Sequence, residues 1–330
     1  MPLSINTNMA ATRASFYLSK NNNMLQQSLD RLSSGKRINN SSDDAGGLAV
    51  SMKMQGTIDR LTGAESNIGN AISFLQVQDG ILESAGKIVS RMGELKGLHG
   101  DVLKNTTDKA TYDAEFQDLQ GQLYQLSQTL FNGVSLFGDR DDGTAAGGNT
   151  GLVFGTTPTA NGLLNVFTTA DGSSGSSVGI EQSQLLSAMT FTTTVAGGVT
   201  TAVNVTTTGW NDANAGAGAG PANATDYSLA VNSGNSLQLG DLDTVVFSTA
   251  LENIATMRAT NGGSVSRLQY AQEDVLAQKT NLEAANGRIM DVDIARESTE
   301  LAKYNVLVQA SASMVAQASV STDVALMLLR

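Results

Sequence analysis

The sequence predicts a mainly α-helical protein in which two long helical arms enclose a small inserted β-rich domain. Apolar residues recur every seven positions along both arms, which is typical of coiled coils. Proline occurs only at positions 2, 158 and 221, so no helix breaker interrupts either arm. Residues 141–257 carry 9 acidic and no basic side chains, whereas residues 1–140 carry 14 and 13 and residues 258–330 carry 8 and 7. Near-neutral arms can pack against copies of themselves while the acidic insert faces water.

The first and last helices carry the stripes that we expect to pack between subunits. The predicted packing positions are Leu18, Leu25 and Leu32 in an arm at residues 3–34, and Ile294, Leu301, Val308, Val315 and Leu329 in a final helix at residues 290–329. Other apolar residues of the final helix point in several directions, so one partner helix cannot cover them all. Each uncovered Leu or Val forgoes about 1.5–3 kcal/mol of burial, which predicts that further subunits cover the rest. A single long bundle within one monomer is the alternative.

The second helix, predicted at about residues 44–97, has the clearest seven-residue repeat of the chain. Its apolar positions are Met54, Leu61, Ile68, Leu75, Leu82 and Val89. Glycines at positions 63, 69, 80, 86 and 93 each weaken an isolated helix by roughly 1 kcal/mol. We therefore expect another helix to approach this one closely at the glycines.

Two further helices are predicted on either side of the insert. The first, at 109–131, ends at the turn dipeptide Asn132-Gly133, and a short strand follows it. The second keeps a seven-residue register through 250–289, with Asn261 as its one polar exception. The register shifts at Asp291–Asp293, which predicts a joint between domains at that place. The two aspartates point to different faces of a helix, which favours a cap or a salt bridge over a metal site.

The insert has a different composition, because residues 141–240 contain 17 of the 34 glycines. Between the glycines lie three Thr- and Val-rich stretches that we predict to be strands, at 190–195, 201–208 and 227–231. Disorder is the alternative for this region, because large apolar residues are sparse there.

Composition narrows the classes of function. The chain has no cysteine and a single histidine, His99, which argues against a catalytic or metal site, and we expect neither an enzyme nor a cofactor. Phosphate contacts need clusters of Lys and Arg, and none is present, so we do not expect nucleic acid as a partner. The longest apolar runs are too short for membrane insertion, and the N-terminal segment does not resemble a cleaved signal peptide.

Several motifs near the two ends resemble those of the bacterial flagellins. They comprise LDRLSSGKRIN at 29–39, DDAG at 43–46, FNGV at 131–134, RIMDVDIARE at 288–297 and LMLLR at 326–330. Their order at both ends makes the resemblance specific, although Gly287 stands where that family commonly has Ser. Residues 141–247 match no motif that we can name, and this is where flagellins vary.

The resemblance implies a domain organisation and a function. Residues 1–40 with 290–330 would form a discontinuous inner coiled-coil domain, residues 41–145 with 248–289 a helical shell, and residues 146–247 a variable β-rich surface domain. Such a chain would be a structural subunit that polymerises helically into the extracellular flagellar filament for swimming motility. A hook–filament junction protein of the same family and a secreted coiled-coil effector are the alternatives.

The resemblance also implies partners and an export route. We expect a homopolymer, with a flagellin export chaperone, the filament cap and hook-junction proteins as further partners. Export would pass through the flagellar secretion channel. A patch of Arg91, Glu94, Leu95 and Glu115 matches the segment that a host Toll-like receptor binds in flagellins. The alternative is that these residues pack between neighbouring subunits.

Overall fold

The computed structural model describes residues 8–138, 163–196, 199–204, 225–230 and 238–328, and most of them are helical. The five long helices are α1 (Met9–Ser34), α2 (Ala45–His99), α3 (Thr106–Ser127), α5 (Thr244–Met290) and α6 (Ile294–Leu328). The mainly α-helical fold predicted from the sequence is confirmed. The chain divides into two compact units, residues 1–59 with 277–330 and residues 60–276.

In the first unit, α1 and α6 pack side by side in opposite directions. Near one end, Asn8 Nδ2 donates to the carbonyl oxygen of Ala318 at 2.8 Å. Near the other end, an Arg31 guanidinium nitrogen lies 4.0 Å from a Glu297 carboxylate oxygen. The N-terminal end of α1 thus lies beside the C-terminal end of α6, and the C-terminal end of α1 lies beside the N-terminal end of α6. The pair is therefore an antiparallel coiled coil.

The segments that join α1 to α2 and α5 to α6 lie against each other in the same unit. Gly35 ends α1 with φ +71°, a left-handed conformation that glycine adopts without steric cost. The Val292 N–H donates to the Gly35 carbonyl at 3.1 Å, and Asp293 Oδ1 caps α6 by accepting from the Ala295 N–H at 3.0 Å. The break between helices predicted at residues 291–293 is confirmed, and Asp293 acts as a cap. This break lies within the first unit and not between the two units, so it is not the joint between domains that was expected.

The core of the second unit is built from α2, α3 and α5. Its most buried apolar side chains include Leu61, Ile68, Leu75, Leu82 and Val89 of α2, Phe116 and Leu123 of α3, and Ile254, Leu268 and Val275 of α5. The seven-residue stripe predicted for α2 is therefore the buried face of that helix. Asn261 lies in the buried stripe of α5 and donates Nδ2 to the Leu75 carbonyl oxygen at 2.9 Å.

The expected reason for the α2 glycines is wrong for most of them. A Cβ atom added at Gly63, Gly69 or Gly80 would meet no atom within 4 Å. Those at Gly86 and Gly93 would meet Ile254 at 3.8 Å and Phe247 at 3.5 Å, so only these two permit a close approach of α5. The other three lie outside the stripe that faces α3 and α5, so no packing within the chain requires a glycine there.

A short hairpin follows α3, and the insert adds two small antiparallel sheets. Strands β1 (Leu130–Phe131) and β2 (Val134–Ser135) flank Asn132 and Gly133, whose positive φ values confirm the predicted turn. The two sheets comprise β3 (Leu163–Phe167) with β4 (Ser177–Glu181), and a central β5 (Thr190–Ala196) between β6 (Val199–Asn204) and β7 (Thr225–Ser228). A one-turn helix, α4 (Leu185–Ala188), precedes β5.

The three strands predicted in the insert have different outcomes. The strand at 190–195 is confirmed by β5, and that at 201–208 is confirmed as far as Asn204, beyond which it lies outside the described residues. The strand predicted at 227–231 is wrong at Leu229 and Ala230, where the chain bends, and residue 231 lies outside the described residues. The Leu229 N–H donates there to the Met189 carbonyl at 2.9 Å, and the Leu229 side chain is buried.

Candidate functional site

The first candidate surface is the α1–α6 coiled coil, which contains the predicted packing positions. Half-buried positions follow a seven-residue repeat on both helices and face each other: Ala11, Ala14, Leu18, Asn21, Leu25 and Leu32 on α1, and Leu301, Tyr304, Val308, Ser311, Val315 and Ala318 on α6. Six of the eight predicted residues therefore line the seam within one chain. Ile294 is 65% exposed, and Leu329 lies outside the described residues. Their contacts with other subunits stay a prediction.

This seam is polar and shallow for a coiled coil. Among its described side chains the only buried ones are Ser28 and Glu297, and no apolar side chain is buried. Asn21 Nδ2 reaches across to Ser311 Oγ at 2.8 Å. A polar residue at such a position fixes the register of two helices but lowers their stability. The pair is thus well specified and weakly held within one chain.

Most of the large apolar surface of the pair faces outward. We name the following residues the outer face: Met9, Phe16, Tyr17, Leu29, Ile294, Val306, Leu307, Met314 and Val320. Covering each of them removes apolar area worth roughly 1.5–3 kcal/mol. Large apolar side chains exposed in this number along two paired helices mark an interaction surface. Inference from the sequence identified the exposed residues of α6 but missed those of α1.

The missed residues are an adjacent aromatic pair. Phe16 is 65% and Tyr17 56% exposed, and their rings stack edge to face with centroids 5.8 Å apart. Their exposure could have been predicted from the sequence. Phe16 and Tyr17 lie two and one positions before Leu18, so on a helix they cannot lie on the same face as Leu18. Rigid, exposed aromatic side chains are the residues that most often anchor protein interfaces.

The second candidate surface is the charged patch on α2 and α3. Arg91 donates Nε to Glu115 Oε1 and Nη1 to Glu94 Oε2, both at 2.8 Å. The carboxylates of Glu115 and Glu94 together raise the pKa of the Arg91 guanidinium. Glu94 is exposed and the side chains of Arg91 and Glu115 are each 42% exposed, whereas Leu95 is completely buried. The structure therefore brings three of the four predicted residues together at the surface and places the fourth in the core beneath them.

The single histidine, His99, lies in a contact that holds parts of the fold together. Its Nε2 lies 3.7 Å from Asp113 Oδ2, and Asp113 Oδ1 accepts the Leu239 N–H at 2.9 Å. This contact ties the chain that returns from the insert to α3. In the part of the chain that the structure describes, no group of three or more metal-binding side chains is present. Within the same residues, no helix combines the length and the apolar character needed to cross a membrane.

Comparison with known proteins shows the family to which the chain belongs. The family model for the bacterial flagellin N-terminal helical region matches residues 5–141, and that for the flagellin C-terminal helical region matches residues 245–329. The chain belongs to the bacterial flagellin family. Together the two matches cover the five long helices except Thr244 at the start of α5, and they leave residues 142–244 unmatched.

The chain is similar to several flagellins over nearly its whole length. The flagellin of Listeria monocytogenes is 31% identical over 318 residues, covering 96% of both chains. The flagellin of Bacillus subtilis is 33% identical over 337 residues, covering 99% of both. The flagellar filament 33 kDa core protein of Treponema phagedenis is 31% identical over 327 residues, again covering 99% of both. Flagellins are structural proteins that polymerise into the extracellular flagellar filament, and this chain is a filament subunit of that kind.

Proposed function

We propose that this flagellin builds its filament by covering the outer face of the α1–α6 pair with the same face of neighbouring copies. The observation that supports this is the contrast between seam and outer face. The seam leaves no described apolar side chain buried, whereas nine large apolar residues lie outside it. Burial against further copies supplies the stability that a single antiparallel pair lacks.

The radial arrangement that we propose follows the predicted domains. Residues 1–40 and 290–330 form the inner domain, residues 41–145 and 248–289 form the shell, and residues 146–247 face the surrounding water. The distribution of charge supports this order, because the acidic insert has no basic residues to neutralise it. Placing it outside keeps like charges apart when many copies pack together.

Assembly through an apolar face requires that the face be protected before the chain reaches the filament. We propose that a flagellin export chaperone covers the exposed part of α6, including Val306 and Met314, until secretion. The chain would then pass through the flagellar channel and be inserted beneath the filament cap. Hook-junction proteins would offer the first copies an equivalent helical surface.

The patch of Arg91, Glu94 and Glu115 supports a second role. We propose it as the place where a host Toll-like receptor would contact the unassembled chain, because its three charged side chains are exposed and held in a fixed arrangement. Leu95 would act there only by supporting α2 from within the core. Replacing Glu115 with Gln should then weaken receptor binding at least tenfold, while Asp118→Asn, a neighbouring acidic change on α3, should not. Equal receptor affinity of the wild type, Glu115→Gln and Asp118→Asn, measured by titrating each protein with the receptor, would contradict this role.

The proposed assembly surface can be tested with one double variant. Phe16→Ser with Tyr17→Ser removes about 3–6 kcal/mol of apolar burial from each subunit in a filament. We expect the critical concentration for growth on wild-type filament seeds to rise at least a hundredfold, as measured by sedimentation and electron microscopy. Phe167→Ser, which changes a 36% exposed aromatic residue of the insert, should leave growth unchanged. Normal growth of the double variant would show that another surface holds the filament together.

The same micrographs separate a filament subunit from the two alternatives, a hook–filament junction protein and a secreted effector. A filament subunit grows into long filaments from seeds, whereas a hook–filament junction protein adds only a short segment. A secreted effector would add nothing to the seeds.

A further inference from the structure

The turn between α2 and α3 carries two large apolar side chains that contact almost nothing in the chain. Val102 is 93% and Leu103 92% exposed, more than any other large apolar residue in the described part of the chain. We name Val102 and Leu103 the tip. Leaving both side chains in water forgoes roughly 3–6 kcal/mol of burial.

The tip is held in one conformation by its neighbours. Asp101 Oδ1 accepts the Leu103 N–H at 2.9 Å, and the Asp101 carbonyl accepts the Lys104 N–H at 3.4 Å. The Lys104 ammonium lies 5.9 Å from the centre of the Tyr112 ring on α3. An apolar group presented in a fixed geometry loses little entropy on binding, which favours a docking role.

A groove of about 640 Å³ lies between α2 and α5 in the same unit. Its apolar lining comprises Leu75, Ala255, Ala259, Gly262 and Val265. The small side chains of α5 leave space, since a Cβ atom added at Gly262 would meet no atom within 4 Å. A glycine at that place in a helix costs roughly 1 kcal/mol and gains no packing within the chain. The groove therefore has room for an apolar side chain that the chain itself does not provide.

Asn261 gives the groove an unmet hydrogen-bond acceptor. It lines the groove, is only 4% exposed, and uses Nδ2 to reach the Leu75 carbonyl oxygen. Its Oδ1 atom has no hydrogen-bond partner among the described residues. Leaving a buried acceptor unpaired costs about 1–3 kcal/mol, so this wall of the groove carries a polar cost that the chain does not offset.

Charges at the edge of the groove complement those beside the tip. Arg258 on the groove binds Asp79 with two hydrogen bonds of 2.9 and 3.0 Å. The tip is flanked by Asp101 and Lys104, which offer one charge of each sign to that pair. Complementary charges of this kind orient two surfaces as they meet.

We propose that the tip of one copy of this flagellin inserts into the α2–α5 groove of a second copy. The proposal rests on the self-assembly proposed above and names one of its contacts. About 23 residues of α2 separate Gln76 at the groove from His99 below the tip, or roughly 35 Å, so the two cannot meet within one chain. Because the contact joins two different surfaces, each copy keeps a free tip and a free groove, and the series continues as an open helix.

The absence of cysteine makes a direct test possible. A Leu103→Cys, Gly262→Cys chain should form intermolecular disulfides when it is oxidised during growth on wild-type seeds, because both positions are open. We expect a ladder of dimers, trimers and longer species on a denaturing, non-reducing gel. Each single-cysteine variant can give at most dimers. Val134→Cys with Gly262→Cys, which pairs the groove with another exposed apolar position, should give no ladder.

The outcomes separate this contact from self-assembly in general. Filaments of normal length from the Leu103, Gly262 cysteine pair with no ladder would overturn the proposed contact and leave the filament function intact. Absence of filaments from the wild-type chain would instead overturn the function on which the contact rests. A second variant, Val102→Ser with Leu103→Ser, should slow elongation at least tenfold without changing the circular dichroism spectrum of the monomer. Unchanged elongation would contradict the contact independently of the cysteine chemistry.

Discussion

Replacing Asn261 with leucine should raise the free energy of unfolding, although it removes a hydrogen bond. The bond to the Leu75 carbonyl contributes about 0.5–1.5 kcal/mol, and its loss is offset because the unpaired Oδ1 atom, which costs about 1–3 kcal/mol, disappears with it. Burying a leucine in place of a polar group adds roughly 1.5–3 kcal/mol. Strain from imperfect packing lowers that gain by about 1–3 kcal/mol. The net stabilisation that we expect is about 1–2 kcal/mol.

The assay is thermal and urea unfolding of the monomer, followed by circular dichroism. A gain of this size raises the melting temperature by roughly 2–8 °C for a unit of about two hundred residues. The matched control is Asn253→Leu on the same helix. Asn253 is 5% exposed, donates to the Ala188 carbonyl at 2.8 Å and has a further interaction, so its replacement should destabilise the chain. Loss of more than about 1 kcal/mol in Asn261→Leu would refute the reasoning.

Three further changes test local features of the fold. Gly63→Ala should raise the free energy of unfolding by up to about 1 kcal/mol, because no atom opposes a Cβ atom there, as measured by urea unfolding. The same change at Gly35 should lower it by about 1 kcal/mol, because φ is +71° there, and an equal sign for both variants would contradict this account. The backbone N–H groups of Asn40 and Asn39 lower the pKa of the Asp43 carboxyl in the folded chain. The ionised Asp43 carboxylate therefore stabilises the fold fully above the ordinary aspartate pKa, and this stabilisation is lost as the pH falls through the pKa of the folded chain. Below pH ~4 the free energy of unfolding of Asp43→Asn should therefore fall less steeply with pH than that of the wild type.

The helices could be predicted from sequence because their cause is local. The repeat from Leu61 to Val89 predicted the buried face of α2, and the turn at Asn132 was predicted from its dipeptide. The end of α1 and the break before α6 were predicted because Gly35 and Asp293 stop and start helices by their own conformation or side chain. Two other boundaries were wrong, since α3 ends at Ser127 and not at 131, where the chain already forms β1, and α5 begins at Thr244 and not at 250. Such signals need no information from distant parts of the chain.

Other features could not be predicted because they depend on distant partners. Whether a helical glycine is opposed by an atom depends on the path of a second helix, which is why Gly86 and Gly63 differ although both interrupt the same repeat. The burial of Leu95 beneath Arg91 depends in the same way on the core that α2 forms with α3 and α5. The bend at Leu229 follows from a hydrogen bond to Met189, forty residues earlier, which the alternation of side chains does not report.

The polarity of the α1–α6 seam explains how the two ends of one chain can be weakly paired in an isolated copy and, as proposed above, stabilised in the filament. Two helices that bury Ser28 and Glu297 between them, and no described apolar side chain, gain little from pairing alone. An isolated copy can therefore open this pair at low cost. When neighbouring copies cover Phe16, Tyr17 and the rest of the outer face, as proposed above, the burial of these side chains stabilises every copy in the polymer. Because the favourable term appears only in the polymer, folding of the two ends and growth of the filament become one process.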